Sequence, residues 1–247
     1  MSFMGLLHEE RAFRAVLFDI DGTLVDTIPM IVAGLGDAFE HFGGFRPSES
    51  ELKSLIGTPL SVQMEAFGLD KNSTQLDERV QYTIERYKDH ADLIRRLPAV
   101  ESAYQALADA GIPTALVTSR NRAELEWFLG AFPMFTASKV AVCASDVSQP
   151  KPDAEPALLA CSLLGLASDE VCFIGDATHD VECARAAEIY SVAVAYGGSN
   201  PSDLSHTHPD VLLYTPEELQ AWIRQTILKR TTCFSTTQNE SKPQPAA

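Results

Sequence analysis

The sequence predicts an α/β fold, a parallel sheet layered between helices, with an all-helical segment inserted after the first strand. Three observations carry this expectation. Short apolar runs alternate with helix-period segments, the pattern of repeated βα units. Three of the runs end in acids or hydroxyls, which collects polar groups at one edge of a parallel sheet. Residues 28–97, by contrast, show helical spacing and no convincing strand.

In chain order, the first strand is expected at 15–18, opening the stretch AVLFDIDGTLVDT. Within the inserted tract, Leu76, Val80, Ile84 and Tyr87 repeat at helical spacing. Phe39, Phe67 and Leu69 fall in shorter segments broken by Gly43-Gly44, Pro47, Gly57 and Pro59. Helices are expected at 100–110, 122–129 and 152–164, stopped by Gly111, Gly130 and Gly165. Strands are expected between and after them at 114–117, 139–143, 171–174, 191–195 and 210–213. Thr215 followed by Pro216 marks the start of a last helix over 216–230. The domain organisation that follows is a core of residues 1–25 and 98–230, a helical insert of residues 26–97, and a polar, proline-bearing tail, 231–247, expected to be disordered.

With 247 residues, 45% of them hydrophobic, the chain can bury one large core and a smaller one. Its 34 acids against 19 Lys and Arg give a net charge of -15, which argues against a nucleic-acid or anionic-membrane partner. The N-terminus, MSFMGLLHEERAFR, has no signal-like apolar run and nothing later reaches transmembrane length, so a cytoplasmic location is expected. Five cysteines without CxxC or Cys/His ligand spacing are expected to be reduced thiols.

Asp19 and Asp21 are two apart, so they share one side of an extended segment, and Gly22 permits a sharp turn after them. A buried carboxylate needs a cation, a proton or water. Thr118 and Ser119 end the run TALVTS, and Asp176 ends VCFIGD. QPKPDAEP places Lys151 before a helix whose first turn is expected to contain Pro152 and Asp153, bringing positive charge to an acidic edge. Asp180 follows Asp176 by four residues, one turn further if a helix starts there.

FDIDGTLVDT, VTSR, KPDAEP and GDATHD stand in the order and rough spacing of four motifs of the haloacid dehalogenase superfamily of phosphotransferases, which the chain resembles from about residue 14 to 228. The resemblance implies a Rossmann-like core with a mobile cap, hinged near 25–27 and 97–99, that excludes water during chemistry. It implies that Asp19 attacks phosphorus and becomes an aspartyl phosphate. Asp21 would act first as general acid and then as general base. Asp19, the backbone carbonyl of Asp21 and Asp176 would hold Mg²⁺. Thr118, Ser119 and Lys151 would bind the phosphoryl oxygens, with Asp180 positioning Lys151 or a metal-bound water. The four acids then need a proton on Asp21, Mg²⁺ and Lys151 to reach neutrality before a phosphate dianion can enter.

The implied substrate is a small phosphorylated metabolite, with phosphoglycolate first and inorganic pyrophosphate second. A phosphomutase would share the core residues, and a catalytically silent phosphate-binding protein is the non-enzyme alternative. A dehalogenase would need neither the acid at Asp21 nor a metal site. Asp26 reads as the start of the cap's first helix, His179 as exposed, and His206 and His208 as surface residues. Gly57 and Pro59 read as a cap loop near the active-site mouth or a simple turn. Tyr196-Gly197-Gly198 ends a strand on the ligand edge.

Overall fold

Ala15–Phe18 is buried at every residue and forms β1, the strand on which the rest is built. The computed structural model describes residues 12–66 and 75–229. After β1 the chain makes a short strand, β2 (Val25–Asp26), and then α1 (Ile28–Gly43), α2 (Glu49–Ser54), α3 (Leu60–Glu65) and α4 (Leu76–Asp89). It returns through β3 (Arg95–Arg96), which pairs antiparallel with β2. The expectation of no strand within 28–97 is therefore corrected. Two exposed arginines carry no apolar signal, and backbone pairing with β2 defines the strand. Asp26 sits in β2, and Thr27 occupies the N-cap position of α1.

The core continues with α5 (Pro98–Asp109), β4 (Thr114–Val117), α6 (Arg122–Ala131), β5 (Val140–Val142), α7 (Glu155–Leu164) and β6 (Val171–Gly175). It ends with α8 (Thr178–Ala186), β7 (Tyr190–Val194), α9 (Pro201–His206), β8 (Val211–Leu213) and α10 (Pro216–Trp222), which runs on as a π-helical stretch, Ile223–Leu228. Gly130 lies inside α6 and does not end it. Pro152 and Asp153 lie ahead of α7, whose first turn contains Pro156 instead. Gly111 and Gly165 do end their helices in left-handed backbone, at φ 69° each. Phe67, Leu69, Cys233 and the tail 231–247 lie outside the described residues.

Six strands form one parallel sheet in the order β5-β4-β1-β6-β7-β8. Alternation along β1 sends Val16 and Phe18 to one face, where α5, α6 and α10 supply Tyr104, Phe128 and Leu219. Ala15 and Leu17 face the other side, against Ala157, Ala160 and Ala184 of α7 and α8. The inserted helices have their own apolar cluster around Leu35, Phe39, Leu52 and Ile84. Placing β1 between β4 and β6 brings three strand ends together, so Asp19, Thr118 and Asp176 emerge side by side.

Candidate active site

The backbone N–H of Asp19 still donates to the carbonyl of Ile174, at 2.9 Å, so its main chain is fixed by the sheet itself. Gly22 follows at φ 77°, and a Cβ there would lie 2.2 Å from Asp176 Oδ2. Glycine therefore meets two demands at once, a left-handed turn and contact with a neighbouring carboxylate. A Cβ on Gly197 would meet the same oxygen at 2.2 Å, so the Asp176 carboxylate is enclosed by backbone from two loops.

Lys151 is the hub. Its buried Nζ donates to Asp19 Oδ1 at 2.7 Å, Asp180 Oδ1 at 2.6 Å and the carbonyl of Val117 at 3.2 Å, which occupies all three ammonium hydrogens. Burial alone would lower the lysine pKa, but Asp180 and Asp19 outweigh it and keep the cation charged. Asp180 is held in turn by the backbone N–H of Ala177, at 2.9 Å from Oδ2. Carboxylate oxygens of Asp19, Asp176 and Asp180 lie within 4.8 Å of one another.

Burial raises the Asp19 pKa to about 7 despite Lys151, with Asp180 and Asp21 adding to the rise. Asp176 is also raised, by burial and then by Asp19 and Asp180, although Gly198 N–H donates to its Oδ2 at 2.6 Å. This is a cluster short of positive charge. Its all-oxygen donor set suits a hard divalent cation, and the cost of crowding the acids is what such an ion would remove.

Thr118 is buried, and its hydroxyl accepts from the backbone N–H of Arg120 at 3.2 Å. The Ser119 hydroxyl donates to the carbonyl of Gly57 at 2.6 Å, tying the loop between α2 and α3 to the edge of the sheet. That loop thus lies at the mouth, where Gly57 and Thr58 line one cleft with Asp19, Asp21 and Asp176. Asp21 is turned toward Arg120, which donates to its two oxygens from Nε at 2.9 Å and Nη2 at 2.6 Å, while the Thr27 hydroxyl donates to Oδ1. Sequence reasoning missed Arg120 and Glu124, so the positive charge at the site comes from two residues rather than Lys151 alone. The available signal was the capping box Asn121–Glu124, which starts α6 directly after Arg120 and turns Glu124 inward.

Tyr196 donates its hydroxyl to the carbonyl of Thr23, and Gly198 serves Asp176, so this segment supports the acid cluster. His179 is half-buried near Gly57, a correction to its expected exposure that follows from its position in the first turn of α8 beneath the cap loop. His206 and His208 are exposed, as expected. The thiols of Cys143, Cys161, Cys172 and Cys183 are free and buried. Among the described residues no helix is long and apolar enough to cross a membrane.

The family model for haloacid dehalogenase-like hydrolases matches residues 16–194. The chain belongs to that family. Among its relatives is the N-acetylmuramic acid 6-phosphate phosphatase of Pseudomonas aeruginosa, 35% identical over 83% of this chain and 92% of the relative. Another is a phosphoglycolate phosphatase of Chromobacterium violaceum, 30% identical over 81% and 91%. A haloacid dehalogenase-like hydrolase structure from Streptococcus pneumoniae, 24% identical, superposes with a TM-score of 0.71 over 85% of this chain and 98% of that one, which supports the Rossmann-like fold.

Proposed function

We propose that the chain is a Mg²⁺-dependent phosphatase that hydrolyses a small phosphorylated metabolite through an aspartyl phosphate on Asp19. The observation that carries this reading is the Lys151 ammonium bridging Asp19 and Asp180, with Asp176 within 4.8 Å, at the ends of adjacent strands. Lys151 fixes one oxygen of Asp19, so the other attacks phosphorus. The bond from phosphorus to the leaving oxygen breaks, and Asp21 gives that oxygen its proton. Asp21 then takes a proton from the water that attacks the aspartyl phosphate, which frees Asp19 and inorganic phosphate. Arg120 and Thr27 hold Asp21 as a carboxylate beside the cleft, so one of its oxygens leaves this clamp when it carries the proton. Asp19 and Asp176 would hold the metal together with the backbone carbonyl of Asp21. When bound, Mg²⁺ supplies positive charge against the oxygens of the transferring group.

The cap loop at Gly57, anchored by Ser119, narrows the space over Asp19 and suits small substrates. Phosphoglycolate is the leading candidate. Phosphate release from phosphoglycolate, pyrophosphate, N-acetylmuramic acid 6-phosphate and hexose phosphates, in Mg²⁺ and in EDTA, tests the reading. Release is expected only with the metal, and Asp19→Asn is expected to lower it by about a thousandfold or more. Undiminished turnover by Asp19→Asn would overturn the covalent route. Release from pyrophosphate alone would make the chain a pyrophosphatase.

A further inference from the structure

Among the described residues that line the cleft between cap and core, Arg120 is the only cation. Its side chain is 3% exposed. Nε and Nη2 hold Asp21, while Nη1 is buried with no hydrogen-bond partner. The guanidinium cannot readily turn to find one. Its Cζ lies 5.6 Å from the ring centre of Phe128 and 5.9 Å from that of Trp127, which pack it in place. Glu124, the acid of α6 that also lines the cleft, accepts the backbone N–H of Asn121 through Oε2 at 2.9 Å and makes no hydrogen bond to Nη1.

Lys151 offers no alternative, because its three hydrogens already reach Asp19, Asp180 and Val117. A substrate with a second negative group would bring further charge to a cleft that already holds Asp19, Asp21, Glu124 and Asp176. Arg120 is the cleft cation with donors left to receive it. A buried donor without an acceptor is uncommon, and a cation in that position is most readily completed by an anionic oxygen.

We propose that Arg120 is a specificity-determining residue: its Nη1 receives an anionic oxygen, of a carboxylate or a second phosphate, carried by the leaving group. Preferred substrates are then small phosphorylated acids rather than phosphates of neutral alcohols. On the cap wall, Gln63 donates from Nε2 to the carbonyl of Thr58 at 2.7 Å, and its buried Oε1 has no partner.

The inference rests on the phosphatase reading, and matched substrates separate the two. Phosphate release is measured for 2-phosphoglycolate against 2-hydroxyethyl phosphate and for pyrophosphate against methyl phosphate, with kcat and KM resolved. The unmodified enzyme is expected to favour an anionic member by about tenfold or more in kcat/KM. Preference within the first pair identifies a carboxylate, and within the second a phosphate. In Arg120→Gln both rates fall, since Asp21 loses its clamp, but the anionic-to-neutral ratio is expected to collapse by a similar factor through KM of the anionic member. Arg120→Lys keeps the charge and is expected to restore part of the ratio. Equal use of both members by the unmodified enzyme overturns the inference and leaves the phosphatase reading standing, and this arm needs no variant to fold. A ratio unchanged in Arg120→Gln assigns the residue to positioning Asp21 alone and also overturns it. No release from any of the four compounds or from p-nitrophenyl phosphate overturns both.

Discussion

Lys151 shows how one side chain can hold a site together before any ligand arrives. Its ammonium is the shared partner of Asp19 and Asp180, and both acids are buried. Lys151→Ala leaves two carboxylates without their cation. The expected loss is about 3–5 kcal/mol of unfolding free energy, read by urea denaturation, together with loss of phosphate release. Glu124 gives a pH signature at the same scale. Burial raises its pKa from the ordinary 4.5 to about 7, against the opposing pull of Arg120. The neutral form therefore stabilises the fold fully below pH 4.5, and that contribution is lost as pH rises through 7. Glu124→Gln stays neutral throughout, so its stability relative to the unmodified protein is expected to grow by roughly 3 kcal/mol between those limits. Parallel pH series of thermal midpoints that show no divergence would refute this.

At the scale of elements, the turn after β1 is the tightest constraint. Gly22→Ala would place a methyl 2.2 Å from Asp176 Oδ2 in left-handed backbone at φ 77°. A loss of about 2 kcal/mol is expected from the backbone and the clash together, with activity falling because Asp176 is displaced. Thermal unfolding and phosphate release on the same sample check both. The strands were legible because β1, β4 and β6 are buried at every residue and read as unbroken apolar runs. The start of α7 was not, because Pro152 and Pro156 both look like first-turn prolines and only the latter is one. Asp19 and Asp176 were legible from their places at strand ends, and Asp180 from its spacing one helical turn beyond Asp176. Arg120 was not, since its partner Asp21 stands 99 positions away and only the sheet order brings them together.

For the whole molecule, the net charge of -15 and the raised pKa values of Asp19 and Asp176 describe a fold carrying surplus acid at its centre. Mg²⁺ at a hundredfold excess over its Kd is expected to add ~2.7 kcal/mol of stability, a shift of several degrees in thermal midpoint over EDTA-treated protein. Asp176→Asn is expected to abolish the shift. A midpoint that ignores Mg²⁺ would exclude this cluster as the ion's seat. The ribbon of β2 and β3 has a different consequence. The chain leaves the sheet region at Val25–Asp26 and comes back at Arg95–Arg96, hydrogen-bonded to where it left. Whatever is spliced between those two points can lengthen, shorten or be exchanged without moving a single rung of the six-strand ladder. Evolution could thus remodel the cover over the cleft while leaving Asp19, Lys151, Asp176 and Asp180 where they stand.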